Sequence, residues 1–173
     1  MKREGYEIIG LEDGFLDPSS VAPKVCFGEF RRWPEVERRG VVRVGGRVLN
    51  VGCGASRVPP TFRGRSWMSL GIDSSPLTLK VTKARGVTKT RLLSIKDVDF
   101  EQGSFDTAVM CGNDFGPFGS WGRAKRLLKR LRLMTSPGAK IICVGVDPYK
   151  RDTTLTAFDT TDGTRRVGGC LGR

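Results

Sequence analysis

The chain contains no histidine in 173 residues. The commonest general base and the commonest zinc ligand are therefore both missing, which excludes mechanisms built on an imidazole. No uninterrupted apolar run approaches the roughly 20 residues that span a bilayer, and the N-terminus has no apolar secretory segment. A cytoplasmic location is the expectation. Cys26, Cys53, Cys111, Cys143 and Cys170 stand singly, without the close pairs of a disulfide framework or a structural zinc site. Reduced thiols and no metal site are expected. Acid is scarce beside base, with 30 Lys and Arg against 18 Asp and Glu for a formal charge of +12. Such a charge attracts polyanions, and it speaks to non-specific binding rather than to fold.

The length suits one domain with a single core. Hydrophobic residues are 38% of the chain, and 23 glycines bring the apolar share to that of ordinary soluble domains. Residues 1–40 read as an irregular arm followed by one or two short helices. Val25, Phe27, Phe30, Trp33 and Val36 recur there at helical intervals, with Pro34 able to open a second helix. Residues 41–149 read as the folded domain. Residues 150–173, rich in Thr, Gly and Arg, show no sustained period and are expected to be poorly ordered.

Within the domain, strands alternate with helices. Arg47 to Val51 reads as a strand buried on both faces and stops at Gly52-Cys53-Gly54. Ser56 to Arg65 is expected to be a crossover helix, although Pro59-Pro60 and Gly64 suit one poorly. Trp67 to Asp73 reads as a second strand. Ser75 is then an N-cap, Pro76 fits the first helical position, and Gly86 can end that helix. A third strand is expected at Thr90 to Ile95, a fourth at Phe105 to Cys111 and a fifth at Lys140 to Val146. Ser120 caps a long helix whose apolar stripe is Ala124, Leu127, Leu128, Leu131 and Met134, ending at Ser136-Pro137-Gly138.

This alternation predicts a doubly wound α/β domain with a mainly parallel sheet of about five strands, in which ligands lie beyond the carboxyl ends of the strands. The Gly52-Cys53-Gly54 turn allows close backbone approach to a ligand, and Asp73 can accept both hydroxyls of a ribose. A purely structural turn uses glycines in the same way, and an acid at Asp73 also suits a helix N-terminus. The dinucleotide fingerprint requires a third glycine where this chain has Arg57, which disfavours nicotinamide and flavin cofactors.

Four stretches in order resemble the class I S-adenosylmethionine-dependent methyltransferases. They are Val48-Leu49-Asn50-Val51-Gly52-Cys53-Gly54, Gly71-Ile72-Asp73-Ser74-Ser75-Pro76, Gly103-Ser104-Phe105-Asp106-Thr107-Ala108-Val109-Met110, and the approach from Leu131 to Gly138. The resemblance spans about Val41 to Tyr149. It implies S-adenosyl-L-methionine as cofactor and a Rossmann-like methyltransferase fold. Carried over by position, Asn50, Gly52, Cys53 and Gly54 would lie along the methionine and ribose portion. Asp73, with Ser74 beside it, would hold the ribose, Ser94 and Ile95 would flank the adenine, and Cys111 and Gly112 would line the sulfonium side. Asn113, Phe115 and Phe118 would meet the acceptor, while Asp114, Asp147 and Tyr149 are the candidates to act on its proton.

The chain departs from the family at Asn50, where an acid is usual, at Ser56, in place of a third glycine, and at Ser94, often an acid. The family also completes its sheet with two further strands, which the short tail is not expected to supply. Relatives that share the Gly-Asn-Asp-Phe-Gly loop continue into a Gly-Arg-Met-Pro-Gly segment. Permitted codons for Thr154 to Arg173, read one base earlier, can spell Gly-Arg-Val-Pro-Gly, so a shifted reading frame is one expectation for the tail. The expected function is methyl transfer from S-adenosyl-L-methionine to an acceptor, with a small molecule favoured. The alternatives are an inactive methyltransferase-like domain and a basic RNA-associated protein.

Overall fold

Residues 48–51 are buried on both faces, Asn50 included, and the fold places them in the central strand of its sheet. The computed structural model describes residues 7–10, 16–19, 27–55, 61–62, 65–66, 68–111, 120–146, 155–159 and 166–167. The elements in chain order are β1 (Glu7–Gly10), β2 (Leu16–Ser19), a 3-10 turn (Phe30–Arg32), α1 (Glu35–Val41), β3 (Arg47–Val51), β4 (Thr61–Phe62), β5 (Arg65–Ser66) and β6 (Met68–Asp73). They continue with α2 (Pro76–Ala84), β7 (Thr90–Leu92), a 3-10 turn (Ile95–Asp97), β8 (Phe105–Met110), α3 (Trp121–Met134), β9 (Thr135–Val146), β10 (Leu155–Asp159) and β11 (Arg166–Val167).

The chain divides into two units, Met1–Trp33 and Pro34–Arg173. In the first, β1 and β2 pair antiparallel, with Ile8 opposite Pro18 and Ile9 opposite Asp17. The irregular arm expected there thus contains a hairpin, whose two strands flank a segment bearing Gly14. Trp33 Nε1 donates to Gly28 O (2.8 Å), and the Phe30 and Trp33 rings meet edge to face.

In the second unit one sheet runs β11-β10-β9-β8-β3-β6-β7. The five strands β9, β8, β3, β6 and β7 are parallel, as the alternating pattern predicts. β3 lies at their centre, and its neighbours β6 and β8 belong to crossovers running in opposite directions. The carboxyl ends of the strands therefore gather at a switch point beside β3. Leu49, Val51, Ile72, Ala108, Met110 and Leu131 join one apolar cluster with Val98, Phe105 and Leu127.

Helix α3 shows which force sets its conformation. Its six cations include like-charge pairs three and four residues apart, each opposing the helix by about 0.2–0.5 kcal/mol. Leu127, Leu131 and Met134 are buried on the other side, and each contributes roughly 1.5–3 kcal/mol. Burial wins. Ser120 Oγ accepts from Arg123 N (3.3 Å) at the start, as expected. In α2, Ser75 Oγ accepts from Thr78 N (3.3 Å) and Pro76 occupies the first turn.

Four expectations need correction. Thr61–Phe62 and Arg65–Ser66 form a short antiparallel pair, not a crossover helix; the proline pair before Thr61 and Gly64 between the strands favour a turn. The third strand stops at Leu92, because Ser94 Oγ accepts from Lys96 N (3.3 Å) and caps the 3-10 turn. The fifth strand begins at Thr135, with an irregularity between Thr135 opposite Phe105 and Lys140 opposite Thr107. Finally, the sheet does not end after five strands. β10 pairs antiparallel with β9, Leu155 opposite Val146, and β11 pairs with β10. An antiparallel return needs only a short connection, unlike a parallel one, so the tail can extend the sheet without another helix.

One polar clip fastens the sheet's amino-terminal edge. Arg47 donates its backbone N–H (2.8 Å) and Nε (3.0 Å) to Asp106 Oδ2 and Nη2 to Oδ1 (2.9 Å), while Ser136 Oγ donates to Oδ1 (2.9 Å). A Cβ on Gly46, whose φ is +70°, would stand 2.6 Å from Asp106 Oδ2. The Arg47 side chain, its backbone N–H and Ser136 hold the Asp106 carboxyl well below its ordinary value of 3.8. A depressed carboxyl stabilises the fold above its unfolded value and loses that contribution as pH falls. Wild type should therefore exceed Asp106→Asn in stability above about pH 4, with the gap shrinking below that. Urea denaturation across a pH series checks this; a gap that widens towards acid would contradict it.

Candidate active site

The turn after β3 is set by its glycines. Gly52 and Gly54 have φ of +61° and +51°, a region that disfavours other residues. A Cβ on Gly54 would find only Gly52 O, at 3.8 Å. Among the described residues, nothing else comes within 4 Å of that position.

Asp73, the last residue of β6, closes the turn from the side. Its Oδ2 accepts from Gly54 N (3.0 Å) and its Oδ1 from Ser75 N (2.8 Å). Cys53 N donates to Ile72 O (2.9 Å), and Leu93 N to Asp73 O (2.9 Å). The carboxyl ends of β3, β6 and β7 are thus tied together at one acid. A carboxylate offers about four acceptor positions, so two bonds to backbone leave capacity for hydroxyls of a ligand.

Below the turn there is little room. Thr82 is fully buried in α2, and its hydroxyl proton is shared between the carbonyls of Gly54 and Thr78 (3.0 Å to the latter). Cys53 Sγ lies 3.8 Å from Thr82 Oγ1. A Cβ on Gly71 would stand 3.0 Å from Cys53 Sγ and 3.2 Å from its Cβ. Gly71 in mid-strand is therefore closely packed against Cys53, which would have to shift to admit a side chain there, and Thr82 locks the turn to the helix. The sequence pattern did not single out either role; a glycine inside a buried strand was the available signal.

The structure brings together Asn50, Gly52, Cys53 and Gly54 on β3 and its turn, and Asp73 and Ser74 at the end of β6. Asn50 is buried at 3% exposure, whereas Ser74 is exposed. Ser94 and Ile95 follow β7 on the same edge, and Ile95 packs against the apolar cluster. Cys111 follows β8 directly and is half-buried. Gly112, Asn113, Asp114, Phe115, Phe118, Asp147 and Tyr149 lie outside the described residues. Among the described residues no group of three or more Cys, Asp or Glu could hold a metal.

A family model described as a methyltransferase domain matches residues 49–143, more than half of the chain. The chain belongs to the methyltransferase domain family. The fold is likewise that of solved S-adenosylmethionine-dependent methyltransferases. One from Bacteroides fragilis, in complex with S-adenosyl-L-homocysteine, is 22% identical with a TM-score of 0.62, covering 90% of this chain and 68% of that one. Another, from Clostridium acetobutylicum, is 15% identical with a TM-score of 0.58, covering 75% and 56%. A third, from Methanosarcina mazei, is 18% identical with a TM-score of 0.51, covering 60% and 53%. The methyltransferase domain described here thus spans little more than half the length of two of these three. No functionally curated protein sequence matches it.

The group that the family implies is S-adenosyl-L-methionine, and the residues fit it. An acid with acceptor capacity stands beside a turn whose two glycines have positive φ and bring backbone close to the ligand position. The packing beneath the turn gives a test. Gly71→Ala should cost about 1–3 kcal/mol through overpacking, and Cys53→Ala in the same chain should recover part of the loss. A urea double-mutant cycle reads the coupling; strictly additive losses would contradict the contact.

Proposed function

We propose that this methyltransferase domain transfers a methyl group from S-adenosyl-L-methionine to a small-molecule acceptor. The observation that carries the reading is the Asp73 carboxylate held against Gly54 at the switch point of the sheet. In this reading Asp73 accepts the ribose hydroxyls, Gly52, Cys53 and Gly54 accommodate the methionine and ribose portion, and Ser94 and Ile95 flank the base. When bound, the cofactor supplies a methyl group on a positively charged sulfur. Cys111 and Gly112 would border that group.

Direct displacement at carbon depends on alignment and preorganised electrostatics, and so proceeds without a metal or a covalent intermediate. The absence of histidine is compatible with it. The chain's own contribution is to fix the turn and the acid before the ligand arrives, so that little reorganisation is needed. Asn113, Phe115 and Phe118 directly follow β8 in sequence, and Asp147 and Tyr149 follow β9. By that position we assign the acceptor to this side, with Asp114, Asp147 and Tyr149 as the groups able to take its proton.

No helix among the described residues is long and apolar enough to cross a membrane. The five cysteines stand singly along the sequence, without the close pairs of a disulfide framework, and on that pattern we assign the activity to the cytoplasm.

Calorimetric titration with S-adenosyl-L-methionine tests the reading. Wild type should release heat on binding, and Asp73→Asn should bind about tenfold or more weakly, roughly 1.4 kcal/mol. Thermal melts verify that both are folded. Folded wild-type protein that gives no binding at high cofactor concentration would favour an inactive domain instead.

A further inference from the structure

We infer that the outer face of α3 is a docking surface for single-stranded RNA. The helix carries Arg123, Lys125, Arg126, Lys129, Arg130 and Arg132 and no acidic residue in its 14 positions. All six are exposed. Among the described residues none of them forms an ion pair with another described residue. Arg130 donates to Lys96 O (2.7 Å), so it gains a carbonyl and no counter-charge. A surface helix stabilised by its own charges normally alternates their sign. This one keeps its like-charge repulsion, which a polyanion would relieve.

The geometry along the helix suits a phosphate chain. Lys125, Lys129 and Arg132 recur at four- and three-residue intervals, which places them in one row on the side opposite buried Leu127 and Leu131. At a rise of about 1.5 Å per residue the row spans roughly 10 Å. The apolar stems of these side chains, with Leu128 and Leu133, line a shallow depression of about 510 Å³ on the protein surface, with the charged ends outside it. Leu133 is 63% exposed and Trp121, at the helix start, is 78% exposed. Because β8 and β9 are parallel and joined through α3, the Trp121 end lies towards the carboxyl ends of the strands.

Cations beside exposed apolar and aromatic side chains match a chain that presents both phosphates and unstacked bases. Duplexes hide their base faces, and single-stranded stretches with splayed bases are the ordinary targets in RNA. A membrane surface suits the helix less well, because its apolar stripe of Ala124, Leu127, Leu131 and Met134 is buried in the core and cannot enter lipid. The inference concerns binding and does not depend on the methyl-transfer reading.

Fluorescence anisotropy with a labelled single-stranded RNA of about 16 nucleotides tests it. Between about 50 and 200 mM salt, affinity should fall about tenfold or more, as three phosphate contacts require. The pair Lys125→Glu with Lys129→Glu should lose most of the binding and flatten the salt slope by about one or more. The pair Lys80→Glu with Lys83→Glu, on the exposed side of α2, makes the same change of net charge and should lose far less. Trp121→Ala should weaken single-stranded binding about fivefold or more and abolish any quenching of tryptophan emission by the RNA. Equal losses from the two charge-reversed pairs would reduce the effect to net charge and overturn the proposal. So would unchanged binding by Trp121→Ala, tighter binding to duplex RNA, or tighter binding to phosphatidylserine vesicles. Should a charge-reversed pair fail to fold, wild type against Trp121→Ala decides: quenching by single strands that is lost in Trp121→Ala supports the surface, and quenching that persists in it, or is absent from wild type, refutes it.

Discussion

The Asp73 carboxylate is the constraint on which the rest of the site depends. By accepting from Gly54 N and Ser75 N together, it fixes the turn after β3, the end of β6 and the entry to α2 relative to one another. Backbone bonds from Cys53 N to Ile72 O and from Leu93 N to Asp73 O join the strand ends to one another, and the carboxylate ties the turn and the helix start to them. A charge-assisted bond to backbone N–H is among the stronger polar contacts a fold can use. Here two of them converge on one acid at the place where the sheet's crossovers diverge. Thr82 and Cys53 complete the arrangement from below, so the turn is held by charge on one side and by packing on the other.

The same division between packing and charge recurs through the molecule. The core faces of α3 and β8 are buried, and that burial is large enough to override unfavourable charge along the helix. At the opposite edge of the sheet, the Arg47, Asp106 and Ser136 clip joins the starts of β3 and β8 to the irregular start of β9. Apolar burial thus determines which segments associate, while a few polar contacts at the strand ends determine how they are registered. The chain's excess positive charge serves neither purpose, and much of it is concentrated on α3.

The central parallel strands were legible because their signals are local. Val48-Leu49-Asn50-Val51 stops at two glycines, Ser75-Pro76 opens α2 and Gly86, with φ of +91°, closes it. The glycine turn at Gly52 and Gly54 and the acid at the end of β6, Asp73, were legible for the same reason, since turn chemistry and strand ends show in single residues. What was not legible depends on distant partners. The strand Leu155–Asp159 owes its place to backbone pairing with β9, which leaves no periodic mark in so short a segment. Gly71 and Thr82 matter because Cys53 approaches them across the fold, and Asp106 because Arg47 meets it 59 residues away. Pro59-Pro60 marked the stretch after the turn as a poor helix without revealing the hairpin that replaces it.

We propose that the turn fastened by Asp73 holds the cofactor. Amide hydrogen exchange, with and without S-adenosyl-L-homocysteine, tests it most directly. Slower exchange at Gly52, Cys53 and Gly54 and at Ser74 and Ser75, with α3 unchanged, is the predicted result. Exchange at the turn that the ligand leaves unaltered, or protection confined to another face of the domain, would contradict it.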